Sequence, residues 1–288
     1  MIAYFNGRYL PKSDVHISPD DRGFLFSDGV YEVIRSYDGV LFQCDGHLRR
    51  FAAGLAALRI APVSSDELRQ AAGQLLQEND LTAGDATVYL QVTRGAAPRR
   101  HRFPEQDTPP TVYAAARRFQ PYAKELAEGG AAILVPDQRW ARCDIKSIGL
   151  LANAMASQGA WEAGAFEALF VRDGVVLEGS HTSVFFVRNG RLLTAPLSNY
   201  VLPGITREVV LAIAARLGLP VDIRPCHESE LPCMDEVFLC GTTVDVTPIT
   251  SVDRKPVGGG VPGPMTQVMQ SELRKLTCQS ASTPLIGC

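Results

Sequence analysis

Lys146 and Glu178 are the residues of this 288-residue chain whose settings point most directly to chemistry. The chain holds five lysines against 23 arginines, and one of the five stands in Arg139-Trp140-Ala141-Arg142-Cys143-Asp144-Ile145-Lys146-Ser147, just before an apolar stretch. A lysine amine attacks a carbonyl carbon only when deprotonated, so it needs partial burial, nearby cations or a bound ligand that depresses its pKa. Arg142 and Leu150-Leu151 are the neighbours expected to supply that setting. Glu178 follows 32 residues later, at the end of the β-patterned run Val175-Val176-Leu177 and ahead of Gly179-Ser180 and Ser183-Val184-Phe185-Phe186-Val187. An amine able to form an imine and a buried acid able to hold a proton on a ring nitrogen are what carbanion chemistry on an amino acid requires.

Other segments could hold an anion. Gly204-Ile205-Thr206-Arg207 is expected to open a helix, where free N–H groups and the helix dipole favour negative charge and glycine lets the backbone approach closely. Cys240-Gly241-Thr242-Thr243 offers hydroxyl and amide donors. The run from Thr93 to Pro104 includes Arg94, Arg99, Arg100, His101 and Arg102. On its own it reads as a solvated basic loop, because flanking aromatics are few and the chain's net charge is −3.

The segments around Lys146 and Glu178 resemble the fold-type IV family of pyridoxal-phosphate enzymes, most closely its D-amino acid aminotransferases. The likeness runs from about Tyr4 to Lys275. It implies that Lys146 forms the Schiff base and moves the proton, and that Glu178 pairs with the pyridine nitrogen. It implies that Arg50, in His47-Leu48-Arg49-Arg50-Phe51, holds the phosphate with Ile205, Thr206, Gly241 and Thr242, while Thr243 lies on the substrate side. Tyr31, in Gly29-Val30-Tyr31-Glu32-Val33, would hold the substrate α-carboxylate together with Arg99 and His101, two residues apart in a loop reaching into the neighbouring subunit's site. Gly149, Ser183 and Gly241 stand where relatives usually carry Asn, Asn and Ser. The implied protein is a homodimeric transaminase moving an amino group from a D-amino acid, such as D-alanine, to a 2-oxo acid, such as 2-oxoglutarate. A branched-chain L-amino acid aminotransferase or an aminodeoxychorismate lyase of the same fold would share Lys146, Glu178 and Arg50 but is not expected to carry the Arg99/His101 pair. A non-catalytic pyridoxal-phosphate-binding protein is the alternative of another class.

These residues need a large scaffold, and 46% hydrophobic content over 288 residues allows one. The reading is α+β in two domains: a small N-terminal α/β domain over 1–118, a linker at 119–124 and a larger domain over 125–278 with a β-barrel-like core and flanking helices. A tail over 279–288 reads as frayed. Helical spacing marks His47 to Ile60, Ser64 or Ser65 can cap a second helix ending near Asn79, and strands are expected at Ala86–Thr93, Thr111–Arg118 and Ala131–Val135. Hairpins should turn at Asp38-Gly39, Asp173-Gly174 and Asn189-Gly190, with further helices at about Ile148–Ala163, Thr206–Leu217 and Val261–Lys275. Seven scattered cysteines without CxxC spacing argue against a disulfide framework and a zinc site, and suit a reducing cytoplasm. A pI near 6.0 offers no field for nucleic acid or anionic membrane. The start Met1–Arg8 lacks a signal-peptide layout, and no apolar stretch approaches the ~18 residues that span a bilayer, so a soluble protein is expected.

Overall fold

The structure, a computed structural model, describes residues 1–104 and 108–282. It divides into two compact units: Met1–Gln120 with Ile145–Gly149 and the described residues from Thr277 on, and Pro121–Asp144 with Leu150–Leu276.

The first unit is a six-stranded sheet covered by two helices. Its elements are β1 (Ile2–Phe5), β2 (Arg8–Pro11), α1 (Arg22–Phe26), β3 (Gly29–Tyr37), β4 (Val40–Leu41), α2 (Cys44–Leu58), α3 (Ser65–Glu78), β5 (Asp85–Thr93) and β6 (Thr111–Arg118), in the sheet order β2-β1-β6-β5-β3-β4. Alternation sets the faces: Ala86, Val88, Leu90 and Val92 of β5 and Val112, Ala114 and Ala116 of β6 are all in the core. Against them α3 turns Leu68, Ala71, Ala72, Leu75 and Leu76, an i, i+3, i+4, i+7, i+8 stripe. Ser64 starts that helix by accepting the Glu67 amide at 3.3 Å, with Asp66 and Glu67 in the first turn. On α2, Gly54 lets the helix lie close to β3, where a Cβ would meet Val30 Cγ1 at 3.1 Å.

The second unit is a ten-stranded sheet with helices around it. Its elements are α4 (Ala123–Glu128), β7 (Gly130–Pro136), α5 (Leu151–Glu162), β8 (Glu167–Arg172), β9 (Val175–Gly179), β10 (Ser183–Arg188), β11 (Arg191–Thr194), α6 (Ile205–Arg216), β12 (Val221–Ile223), β13 (Cys226–His227), β14 (Glu236–Gly241), β15 (Asp245–Val252), β16 (Lys255–Pro256) and α7 (Pro264–Ser282), the last running past the end of the unit. The order is β12-β11-β10-β14-β15-β7-β8-β9-β13, with β16 on β15. Only Ser180, His181 and Thr182 join β9 to β10, yet β8, β7, β15 and β14 lie between them in the ladder. In a flat sheet those strands would stand about 24 Å apart, whereas the connection reaches about 14 Å. The sheet must therefore curl until the β9–β10 crossover can close, and there the Gly179 amide bonds the Thr182 carbonyl at 2.8 Å. A half-barrel results.

The α+β reading in two parts holds, and the three hairpin turns lie where Asp-Gly and Asn-Gly place them. Three readings need correction. The stretch from Ile148 does not start a helix: Ser147 bridges Val30, the Tyr31 amide donates to the Lys146 carbonyl at 3.0 Å, and α5 begins only at Leu151. The last helix starts at Pro264 rather than Val261, because the Glu236 carboxylate accepts the Met265 and Thr266 amides at 2.9 and 2.8 Å and acts as its cap. That helix runs to Ser282, so the tail expected to fray from Gln279 is helical at its start, and its remainder, 283–288, lies outside the described residues. The short helices α1 and α4 carry too few residues for a periodic signal. Among the described residues no helix is long and apolar enough to cross a membrane.

Candidate active site

Lys146 owes its position to strand pairing. Residues 146–148 run along the edge of β3, tied by the Tyr31 amide to the Lys146 carbonyl and by the Ile148 amide to the Gly29 carbonyl at 3.1 Å. The Lys146 amine then donates to the Tyr31 hydroxyl at 3.1 Å and lies 4.2 Å from the centre of its ring. Tyr31 itself stacks on Tyr89 across the sheet, with ring centres 5.7 Å apart. In the second unit Arg142 forks onto Asp144 at 3.0 and 2.9 Å, and Leu151 is 75% exposed on α5.

Behind Tyr31, the opposite register of β3 carries Glu32, which is fully buried. It accepts His47 Nδ1 at 2.8 Å, Arg50 Nε at 2.6 Å and Arg50 Nη2 at 2.8 Å. Burial alone would raise its pKa, but the Arg50 charge and the bonds from His47 and Arg50 outweigh that and hold it at about 2. Burial also pushes His47 below its ordinary value, against the pull of Glu32. Glu32 and His47 were not singled out from the sequence, although signals existed. Glu32 takes a core-facing register between Val30 and Ile34, and His47 and Arg50 are spaced i, i+3 on one helix. The candidate phosphate residue Arg50 is thus oriented by a buried carboxylate partner.

Arg99 and His101 come together on one aromatic ring. The Arg99 guanidinium lies 5.3 Å from the centre of Phe26, and the His101 ring centre lies 5.7 Å from it. Both side chains are exposed in the single chain.

In the second unit Glu178, 4% exposed, takes Arg139 Nη1 on one oxygen and the Leu202 amide on the other at 3.0 Å. Arg139 in turn holds Asp137 with Nε at 2.9 Å, stacks on Phe170 at 4.2 Å, and has its pKa raised by Asp137 and Glu178 against the effect of burial. The fork geometry of arginine fixes both carboxylates at once. Arg139 is a further residue missed in the sequence, where its spacing to Glu178 gives no local pattern.

The anion candidates of this unit meet at the β9–β10 crossover. Gly204 is the N-cap of α6, with no side-chain cap, and a Cβ there would come within 2.6 Å of Ser183 Oγ. A Cβ on Gly241 would lie 3.6 Å from the His181 carbonyl. Ile205 and Thr206 are buried at the start of α6, while Gly241, Thr242 and Thr243 are half-buried at the turn between β14 and β15. The crossover is held from beneath by Glu167, whose carboxylate accepts Ser180 Oγ at 2.6 Å, Thr182 Oγ1 at 2.9 Å and its neighbour's amide at 2.8 Å. Ser183 sits beside glycine at the helix start, and Asn153 reaches the Ser180 carbonyl at 2.7 Å.

The donors within each unit fit parts of a pyridoxal phosphate group. The uncapped N-terminus of α6, lined by glycine where a side chain would collide, suits a phosphate. A buried carboxylate kept company by a guanidinium suits a protonated ring nitrogen, and the amine at Tyr31 suits a carbonyl carbon. The sequence pattern of the family described as amino-transferase class IV matches residues 29–252. The chain is 42% identical to a D-alanine aminotransferase of Bacillus licheniformis, over 95% of this chain and 96% of that one. Its structure is similar to the crystal structure of the Escherichia coli branched-chain amino acid aminotransferase, with a TM-score of 0.90 and 27% identity over 96% of this chain and 94% of that one. It is also similar to a branched-chain amino acid aminotransferase of Thermobaculum terrenum solved in its PLP-bound holo-form, with a TM-score of 0.84 and 27% identity over 97% of this chain and 94% of that one. The chain belongs to the class IV aminotransferases, the pyridoxal-phosphate-dependent enzymes of fold type IV.

Proposed function

We propose that this enzyme transfers the amino group of a D-amino acid, such as D-alanine, to a 2-oxo acid, such as 2-oxoglutarate. The observation that carries the reading is the 3.1 Å contact between Lys146 Nζ and the Tyr31 hydroxyl. It joins the group proposed to move the substrate proton to a group proposed to hold the substrate carboxylate. Bound pyridoxal phosphate supplies an electron sink for charge developing at the substrate Cα. Lys146 would hold the cofactor through its amine and, when that amine is free, would serve as the base and acid that moves the substrate's Cα proton. Glu178, fixed by Arg139 and the Leu202 amide, accepts the hydrogen bond of the protonated ring nitrogen. Arg50, held in orientation by Glu32, and the Ile205, Thr206, Gly241 and Thr242 backbone and hydroxyl groups bind the phosphate. Thr243 lies on the substrate side.

Chirality follows from which pocket receives the carboxylate. One amine works on one face of the cofactor, so exchanging the carboxylate and side-chain pockets exchanges the accepted enantiomer. Tyr31, Arg99 and His101 assign the carboxylate pocket. The enzyme works as a homodimer in which the Arg99/His101 loop serves the neighbouring subunit's site, and its partners are small D-amino acids and 2-oxo acids. A reducing cytoplasm is the compartment that its odd, scattered cysteines suit.

The likeness of fold to branched-chain aminotransferases supports a second reading, transamination of L-leucine or L-valine. The 42% identity to a D-alanine aminotransferase and the Arg99/His101 pair favour the first. Chiral analysis of the product separates them: D-alanine with 2-oxoglutarate should yield D-glutamate, and L-glutamate formed from L-leucine at a greater rate would reverse the order.

A further inference from the structure

The loop that carries Arg99 and His101 is fastened by a residue outside it, Arg22 on α1. The Arg22 amide donates to the Gly95 carbonyl at 2.9 Å, at the root of the loop. Its guanidinium donates to the Arg100 carbonyl at 2.7 Å and reaches the Arg102 carbonyl at 3.5 Å, on either side of His101. The same guanidinium is held by Asp28 at 2.8 Å and lies 4.7 Å from the centre of Phe26, the ring that Arg99 and His101 also approach. Asp28 is itself fixed by two bonds from Arg94, at 2.8 and 2.9 Å. Beyond His101 the loop is fastened again, because the Phe103 ring lies 3.6 Å from the Arg94 guanidinium and 4.9 Å from that of Arg59.

We propose that Arg22 is a positioning residue for substrate recognition: it clamps root and tip of the loop so that Arg99 and His101 are presented in one arrangement, with Phe103 on Arg94 as the second fastening. This inference rests on the proposed role of Arg99 and His101 at the substrate carboxylate. Arginine is needed because one planar fork serves Asp28 and a carbonyl simultaneously, whereas lysine presents a single point of charge. A loop released at its tip populates many arrangements, and the carboxylate-binding one becomes a fraction of them, which weakens substrate binding by that fraction.

The test uses the holoenzyme with Arg22→Lys, Phe103→Ala, Arg99→Ala and the Arg22→Lys/Arg99→Ala double variant. Arg22→Lys should raise KM for D-alanine and for 2-oxoglutarate on the order of tenfold, with a smaller change in kcat and unchanged cofactor affinity. Amide exchange should accelerate in peptides covering residues 95–104 and stay unchanged in those covering α2. In the Arg99→Ala background Arg22→Lys should cost clearly less than it does alone, because part of its effect runs through Arg99 and only the part that runs through His101 remains. If Arg22→Lys fails to fold, Phe103→Ala, at a half-exposed ring, must show the same rise in KM and in loop exchange. A silent Arg99→Ala would overturn the carboxylate reading and this inference together. An impaired Arg99→Ala beside silent Arg22→Lys and Phe103→Ala, or full additivity in the double variant, would overturn the clamp alone.

Discussion

Replacing Glu178 by glutamine alters one atom and removes one charge, and the surroundings of that carboxylate set the size of the effect. Its two oxygens face two different donors, Arg139 Nη1 and the Leu202 amide. A carboxamide has a single acceptor oxygen, so one of those donors must face an NH2 group and lose its bond. At a residue 4% exposed the lost bond costs about 1–3 kcal/mol, more if Arg139 is the one stranded. Asp137 still neutralises Arg139, so the variant should fold with a lowered melting temperature rather than collapse. The catalytic consequence is separate. A neutral amide cannot stabilise the ring-nitrogen proton as a carboxylate does, and loss of one such electrostatic interaction commonly costs ~10²-fold or more, about 3 kcal/mol. The assay is a single-turnover reaction of the Glu178→Gln holoenzyme with D-alanine and with Cα-deuterated D-alanine. Slow Cα deprotonation predicts a rate reduced about 10²-fold and a deuterium isotope effect larger than the parent's, with cofactor still bound. A variant that turns over D-alanine at the parent rate would show that Glu178 is not the ring partner.

Lys146→Ala should abolish turnover, and borohydride reduction of the parent followed by peptide mapping should label Lys146; a label on Lys124 or Lys255 would move the anchor elsewhere. Arg99→Ala should lower kcat/KM for D-alanine roughly 10- to 150-fold, the worth of a hydrogen bond to a charged group, and a mixed dimer with Lys146→Ala chains should recover one active site in two if the loop crosses between subunits. Glu32 has a folded-state pKa of about 2, below the 4.5 of the free side chain. Its contribution, on the order of 3 kcal/mol, is therefore present above pH ~4.5 and is lost as the pH falls towards 2. Urea titrations at descending pH should show that loss in the parent, and a much shallower one in Glu32→Gln; equal slopes would deny Glu32 the role.

Much of the scaffold was legible because its signals are local. The alternation over Thr111–Arg118, the Ser64 cap and the turns at Asp173-Gly174 and Asn189-Gly190 each fix a short stretch of backbone by its own residues. What escaped depends on contacts far apart in sequence. Residues 146–148 look like the lead into a helix but pair with Gly29–Tyr31, 115 positions away in the case of Lys146 and Tyr31, and that pairing gives the amine its tyrosine neighbour. The start of α7 is set by Glu236, about thirty residues earlier, which no reading of Val261–Pro264 alone could reveal. Arg50 was assigned by likeness, whereas its buried partner Glu32 follows from packing β3 against α2. Arg139, at the head of a segment noted for its lysine, was overshadowed by Lys146 although it holds Glu178.

The central claim is that Lys146, Glu178 and the Tyr31/Arg99/His101 set together make a D-specific transaminase. The most direct measurement is the half-reaction of the purified holoenzyme with a panel of matched D- and L-amino acids, followed by the absorbance change as the cofactor is converted to pyridoxamine phosphate. The account predicts rapid conversion with D-alanine and other D-enantiomers and little with their L-counterparts. Conversion by L-leucine or L-valine faster than by any D-amino acid would contradict it.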